Sequence, residues 1–167
     1  MITLTRARVP TLICLSALIF AADRLTKVWI NVHVPLGRTL IVIPSLLNVT
    51  HSENDGAGFS ILHASSWPQS TRWALVGLSL LIGSAVLLVM IRSTHRTNLS
   101  DIALSLIMAG SIGNAYDRLM RGAVIDFVEV HLASHYWPDF NLSDFSIVVG
   151  VCSLLLASIN TDWIVSP

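Results

Sequence analysis

The stretch RWALVGLSLLIGSAVLLVMI, residues 72–91, carries no charged side chain after its first position. A helix needs about 20 apolar residues to cross the hydrocarbon core of a bilayer, and this stretch has that length. Three further stretches of similar character cover residues 9–30, 100–120 and 144–165. The sequence therefore predicts an α-helical integral membrane protein with four transmembrane helices.

The composition agrees with a membrane location. Of the 167 residues, 53% are hydrophobic and 12% are charged, and the mean hydropathy is +0.70, whereas soluble domains have about a quarter of charged residues. Ten basic and ten acidic residues give a formal net charge of zero, so we expect no nucleic-acid partner. With no internal repeat or soluble domain, residues 1–167 are expected to form a single membrane-embedded domain.

The N-terminal run MITLTRARVPTLICLSALIFAADRLTK, residues 1–27, has the basic start and apolar centre of a signal peptide. It lacks a small-residue cleavage pattern, and charged residues follow the apolar run directly. We therefore expect a retained first helix.

The histidines and cysteines do not predict a metal site. The six histidines form no HExxH motif, and the two cysteines form no CxxC motif. Cys14 and Cys152 lie in apolar runs, and we interpret them as small buried hydrophobic residues.

The link between the first two apolar stretches, about forty residues long, predicts a small β-sheet. It contains the runs RTLIVIP and LLNVTH, which are rich in strand-forming residues and bounded by turn residues such as Gly37 and Pro44. Arg6 and Arg8 precede the first stretch, and Arg92 follows the second. Since short cytoplasmic flanks are enriched in Lys and Arg, both termini are expected in the cytoplasm and the sheet outside it.

Polar side chains gather near the ends of the stretches that this topology places at the outer face. Ionisable residues in or beside a membrane span are costly and usually face a bundle interior or a cavity. These residues are Asp23, Lys27, Asn54, Asn114, Asp117, Arg118, Asp126, Asn141 and Asp144. We interpret this cluster as the functional site.

Spacing suggests roles for part of the cluster. Asp23 and Lys27 are four residues apart, as are Asn114 and Arg118, so each pair shares a helix face. Asp117 directly precedes Arg118, and we expect a neighbour to neutralise it. These groups are interpreted as structural.

Asp126 and Asp144 differ because apolar residues surround each of them, in VIDF and FNLSDF. Two carboxylates brought together in such surroundings share a proton, so that one can act as a base on water and the other as an acid. Asp144 also begins a helix, which predicts an N-cap position. Taken singly, Asp144 could be a plain N-cap and Asp126 a surface acid.

The order of five motifs along the whole chain resembles the lipoprotein signal peptidases (signal peptidase II) of bacteria. DRLTK is followed by NDGAGF, with Asn54 and Gly56, then by GNAYDR, VIDF and FNLSD. In that family the last motif usually has Ala before the aspartate and Ser after it, where this chain has Ser143 and Phe145. This difference concerns the fine shape of the pocket.

The resemblance implies an intramembrane aspartyl endopeptidase of the bacterial inner membrane, with its active site near the outer face. It would release the signal peptide of a diacylglyceryl-modified prolipoprotein by cleaving before the lipidated cysteine, with Asp126 and Asp144 as the catalytic dyad and without metal or cofactor. The remaining polar residues and Gly56 would bind substrate or support the dyad. Membrane lipid and globomycin-like inhibitors would be further ligands.

Two other functions fit part of the pattern. A small four-helix transporter or proton-coupled carrier would use Asp23, Asp117, Asp126 and Asp144 as relay groups, near the bilayer midplane. A presenilin-like aspartyl protease is suggested by AYD, residues 115–117, but this sequence lacks the Gly-x-Gly-Asp element that such an enzyme needs.

Overall fold

The computed structural model describes residues 2–56, 69–93, 97–132 and 135–159. Each of the four apolar stretches forms a helix in this part of the chain, and residues 160–165 of the last stretch lie outside it. In chain order the elements are α1 (Ile2–His33), β1 (Thr39–Ile43), β2 (Leu47–Asn54), α2 (Gln69–Arg92), α3 (Asn98–Met120), β3 (Val124–Leu132), β4 (His135–Phe140) and α4 (Leu142–Ile159).

Within the described residues, two helical segments are long and apolar enough to cross a membrane by length and composition, namely Arg8–His33 and Gln69–Arg92. The apolar helix Leu142–Ser158 is shorter over the residues described. Helix α3 has the length of a span but buries several polar side chains, among them Asp101, Asn114 and Arg118. The helical architecture is confirmed, and the number of membrane crossings stays a prediction.

Helix α3 is the centre of the bundle and packs against α1, α2 and α4. Two glycines allow its close approach to α4. A Cβ atom added to Gly110 would collide with the carbonyl oxygen of Ser143, and one added to Gly113 would collide with the Ser143 hydroxyl. Likewise, a Cβ atom added to Gly150 of α4 would lie only 2.7 Å from the side chain of Ile107 of α3. The lack of side chains at these glycines therefore allows α3 and α4 to pack closely.

The bundle buries charged side chains and exposes large apolar ones. Lys27 is 1% exposed, whereas Leu25, two residues before it on α1, is 70% exposed. This distribution suits a helix bundle whose outer surface meets lipid. The interpretation of Cys14 and Cys152 as buried was wrong, because both lie on exposed positions of their helices. In a membrane bundle, an apolar run does not distinguish the core from the lipid-facing side.

The sheet is antiparallel with the strand order β1-β2-β3-β4. The prediction of a sheet between the first two helices is correct for β1 and β2 but incomplete, since β3 and β4 come from the link between α3 and α4. Polar residues such as Asp126 and Glu129 hid the strand character of β3. The pairing of β2 with β3 places Ser52 opposite Asp126 and Asn54 opposite Val124.

An apolar cluster joins the sheet to the end of α1. Ile30 of α1 and Val34, which directly follows this helix, pack with Ile125 of β3, and all three are almost fully buried. In addition, Nδ1 of His51 in β2 lies 2.6 Å from the carbonyl oxygen of Val34 and can donate a hydrogen bond to it. The sheet is thereby fixed at the end of the bundle where α1 finishes.

Candidate active site

Asp126 lies in the buried first half of β3 and receives two amide hydrogen bonds. Asn54, at the end of β2, donates from Nδ2 to Oδ2 of Asp126 over 3.0 Å. Asn141, just before α4, donates from Nδ2 to Oδ1 over 2.6 Å. Both carboxylate oxygens of this fully buried side chain are therefore hydrogen-bonded.

Asp144 is held by a capping box at the start of α4. The side-chain Oδ1 of Asn141 accepts a hydrogen bond from the Asp144 N–H (3.0 Å), and Oδ2 of Asp144 lies 3.3 Å from the Asn141 N–H, which donates to it. Asn114 of α3 donates to the other oxygen over 2.8 Å. The predicted N-cap role of Asp144 was wrong. Since α4 begins at Leu142, the N-cap is Asn141 and Asp144 is the third helical residue.

Asn141 consequently bridges the two carboxylates. Its side-chain amide holds Asp126, and its backbone N–H together with its side-chain oxygen holds Asp144. Burial, followed by the nearby charge of Asp144, raises the pKa of Asp126 to about 7. The hydrogen bonds from Asn54 and Asn141 act in the opposite direction because they favour the ionised form. A carboxyl with this pKa exchanges a proton near neutral pH.

Four charged side chains form a buried network between α1 and α3. Lys27 lies 3.0 Å from Asp23 and 2.7 Å from Asp117, and Arg24 pairs with the same two carboxylates. The predicted contact between Asp23 and Lys27 is present. The prediction that a sequence neighbour neutralises Asp117 was wrong, because its salt-bridge partners are the two cations of α1.

Arg24 is the functional side chain that sequence reasoning missed. It lies between the two motif residues of DRLTK, and its guanidinium also stands over the rings of Phe20 and Tyr116, 5.7 and 5.0 Å from their centroids. The signal in the sequence that could have identified Arg24 was the charge balance of the site. Asp23 and Asp117 need two cations in a buried site, and Lys27 supplies only one.

The charge network also holds the start of α4. Oδ1 of Asp23 accepts a hydrogen bond from the backbone N–H of Ser143 over 3.0 Å. Ser143 directly precedes Asp144, so α1 contributes to the position of the second carboxylate. This bond uses the backbone of Ser143, which every residue at that position except proline would supply.

Arg118 connects α3 to the end of β2. Its Nη2 donates to the carbonyl oxygen of Gly56 over 2.8 Å, and its Nη1 lies 3.3 Å from the backbone oxygen of Asn114. The Gly56 N–H in turn donates to Oδ1 of Asn54 (3.0 Å). The expected pairing of the Asn114 and Arg118 side chains is therefore replaced by a contact to the backbone. The rest of the NDGAGF motif, residues 57–59, lies outside the described residues.

The structure thus brings all ten predicted site residues to one end of the bundle, where the sheet meets α3 and α4. Among the described residues, Oδ1 of Asn114 and Nε of Arg118 are buried without a hydrogen-bond partner. Within the same residues, no group of three or more His, Cys, Asp and Glu side chains is arranged to hold a metal ion.

Comparison with known proteins gives a consistent result. A family model described as signal peptidase (SPase) II matches residues 15–160. A lipoprotein signal peptidase of Solibacter usitatus (strain Ellin6076) is 39% identical over 144 residues, which cover 84% of this chain and 85% of that protein. A lipoprotein signal peptidase of Yersinia enterocolitica serotype O:8 is 35% identical over 141 residues, covering 84% and 82%.

A similar fold is found among solved structures. A protein described as a bacterial membrane enzyme superposes with a TM-score of 0.79 at 26% sequence identity, covering 94% of this chain and 95% of that one. A second structure of the same description gives a TM-score of 0.76 at 27% identity. With a family match over most of its length and relatives above one third identity, this chain belongs to the signal peptidase II family.

Proposed function

We propose that this chain, as a single peptidase domain over residues 1–167, removes the signal peptide of diacylglyceryl-modified prolipoproteins by cleaving before the lipidated cysteine. The relatives named as lipoprotein signal peptidases support the substrate. The observation that carries the chemistry is the bridge that Asn141 makes between two buried carboxylates. Family membership and the carboxylate pair both favour an aspartyl endopeptidase.

In the proposed mechanism Asp126 and Asp144 share one proton. The ionised carboxylate takes a proton from a water molecule, whose oxygen attacks the carbonyl carbon of the peptide bond before the lipidated cysteine. The protonated carboxyl gives its proton to the carbonyl oxygen. When the C–N bond breaks, the carboxyl that took the water proton gives it to the cysteine nitrogen, and a hydroxyl of the tetrahedral intermediate returns a proton to the other carboxylate. The dyad again holds one proton, and the products are a signal peptide with a new carboxyl group and a lipoprotein with a free amine.

The other polar residues support this reaction in distinct ways. Asn54 and Asn141 orient Asp126, and Asn114 orients Asp144. The unpartnered Oδ1 of Asn114 and Nε of Arg118 are available to the peptide backbone of the substrate. A second group fixes the helices on which these residues lie, namely Asp23, Lys27 and Asp117, with Gly56 as the acceptor for Arg118.

The proposed location is the bacterial inner membrane, with four helices crossing it, both termini in the cytoplasm and the active site near the outer face. Exposed apolar surface supports contact with lipid beyond the helices. All five residues of β1 are exposed, and Ile41 is 72% exposed, which is unfavourable for an edge strand in water. The acyl chains of the substrate would stay in the bilayer. Globomycin-like inhibitors would occupy the same groove as the substrate peptide.

Mass spectrometry of the products tests the proposal. The purified protein in lipid nanodiscs is given a prolipoprotein with its diacylglyceryl group and, as a control, the same chain without it. We expect release of a signal peptide that ends at the residue before the cysteine, from the lipidated chain only. If the protein does not cleave this substrate but carries out proton-coupled solute flux in liposomes, the alternative function as a proton-coupled carrier would be favoured.

A further inference from the structure

We infer that Arg72 is a positioning residue of this site and that it acts through Arg118. The inference rests on the proposed function, because it concerns the turnover of the same substrate. Arg72 lies in the first turn of α2, outside the group of polar residues described above. Its guanidinium nevertheless bonds to α3, the helix that carries three of the candidate site residues.

The contacts of Arg72 cover the end of α3. Its Nε donates to the carbonyl oxygen of Arg118 over 2.7 Å, and its Nη2 donates to the carbonyl oxygen of Leu119 over 3.1 Å. The last carbonyl groups of a helix have no partner within the helix, and this end of the helix attracts cations. The N–H of Arg121 already bonds the carbonyl of Asp117. Arg72 therefore covers the next two carbonyls in order.

The same guanidinium lies beside the turn that leads into β3. Gly122 has a φ of +93°, and a Cβ atom at this position would lie 3.5 Å from Nη1 of Arg72. Asp126 follows Gly122 after three residues. The end of α3 and the turn that leads into β3 therefore both lie against one side chain from α2.

A chain of hydrogen bonds connects Arg72 to the dyad. The backbone of Arg118 accepts from Arg72, and the side chain of Arg118 donates to Gly56. Gly56 donates to Asn54, which donates to Asp126. A displacement of Arg118 would therefore reach the carboxylate of Asp126 through three hydrogen bonds. Because Arg72 touches neither carboxylate, it acts on their position and not on the chemistry.

A double-mutant cycle on kcat/KM distinguishes positioning through Arg118 from simple stabilisation of the fold. The variants are Arg72→Ala, Arg118→Lys and the double variant. Arg118→Lys keeps the positive charge but loses the planar guanidinium. We expect Arg72→Ala to lower kcat/KM about tenfold in the wild-type background, the size of a lost charged hydrogen bond. In the Arg118→Lys background the same change should cost less than about threefold. Arg72→Lys should restore part of the activity.

Arg121→Ala is the matched control, because Arg121 lies at the same helix end but bonds Asn31. Its effect should be independent of Arg118→Lys. The inference would be overturned if the loss of kcat/KM in the double variant were the product of the losses in Arg72→Ala and Arg118→Lys. It would also be overturned if Arg72→Ala, measured below its unfolding temperature, had the kcat/KM of the wild type. If the wild-type protein itself does not cleave, the proposed function fails and the inference with it. Cleavage by the wild-type protein therefore distinguishes a failure of the inference about Arg72 from a failure of the proposed function.

Discussion

Asn141→Ser separates the two roles of the residue that bridges the carboxylates. Serine is as good an N-cap as asparagine, so its hydroxyl can still accept the Asp144 N–H at the start of α4. It is too short to reach Asp126, and the 2.6 Å hydrogen bond from the Asn141 amide is lost. The variant therefore removes one of the two amide donors of Asp126 and leaves the helix start intact.

The expected effect is a shift of the pH profile of cleavage. Burial raises the pKa of Asp126 to about 7, and the amide of Asn141 holds it below the value that burial alone would give. A hydrogen bond to a charged group contributes about 1.5–3 kcal/mol, and a change of 1.36 kcal/mol moves a pKa by about one unit. Losing the donor disfavours the ionised form, so the pKa of Asp126 rises. The alkaline limb of kcat/KM, where the dyad loses its shared proton, should then move to higher pH by about one to two units.

The assay is cleavage of a diacylated prolipoprotein between about pH 5 and pH 9 in one lipid mixture, with thermal unfolding measured at each pH. Ser146→Ala is the control, because the Ser146 hydroxyl donates to the Leu142 carbonyl one turn earlier in the same helix. Its profile should match that of the wild type. A wild-type alkaline limb in folded Asn141→Ser would refute the argument that this amide tunes Asp126.

The charge network and the helix contact give two predictions for stability. Asp117→Asn leaves two buried cations with one carboxylate and should cost about 3–5 kcal/mol in unfolding free energy, whereas Glu53→Gln, in a largely exposed pair, should cost less than about 1 kcal/mol. Equal losses would contradict the account. Gly113→Ala sets a methyl group against Ser143 and should destabilise by about 1–3 kcal/mol. On α2, a Cβ atom added to Gly77 would meet no described atom within 4 Å, so Gly77→Ala should be neutral or slightly stabilising. A neutral effect of Gly113→Ala on stability would show that α3 and α4 can separate at Gly113.

The sequence was sufficient to predict the helices and to select a set of candidate residues that the structure brings together, because both depend on local signals. An uncharged stretch such as residues 72–91 is long enough to identify a helix by itself. The i, i+4 contact of Asp23 and Lys27 is also local. The motifs placed the remaining candidates, and the fold gathers them at one end of the bundle.

The pairings between distant segments could not be read in the same way. Nothing near Asp117 in the sequence indicates that Arg24, 93 residues away, is its partner. The strand β3 was missed because its polar residues interrupt the apolar alternation, although pairing with β2 satisfies its backbone. The capping box moved the N-cap from Asp144 to Asn141, since helix ends depend on which backbone groups find a partner. In each case tertiary contacts decide the outcome.

The central claim is that Asp126 and Asp144 act as one catalytic unit. The most direct measurement is the turnover of a diacylated prolipoprotein by Asp126→Asn, Asp144→Asn and the double variant, each shown to be folded. Residues that act as a unit have strongly non-additive effects. The account predicts that each single variant loses nearly all turnover and that the double variant loses little more. A folded single variant with near-normal turnover would contradict it.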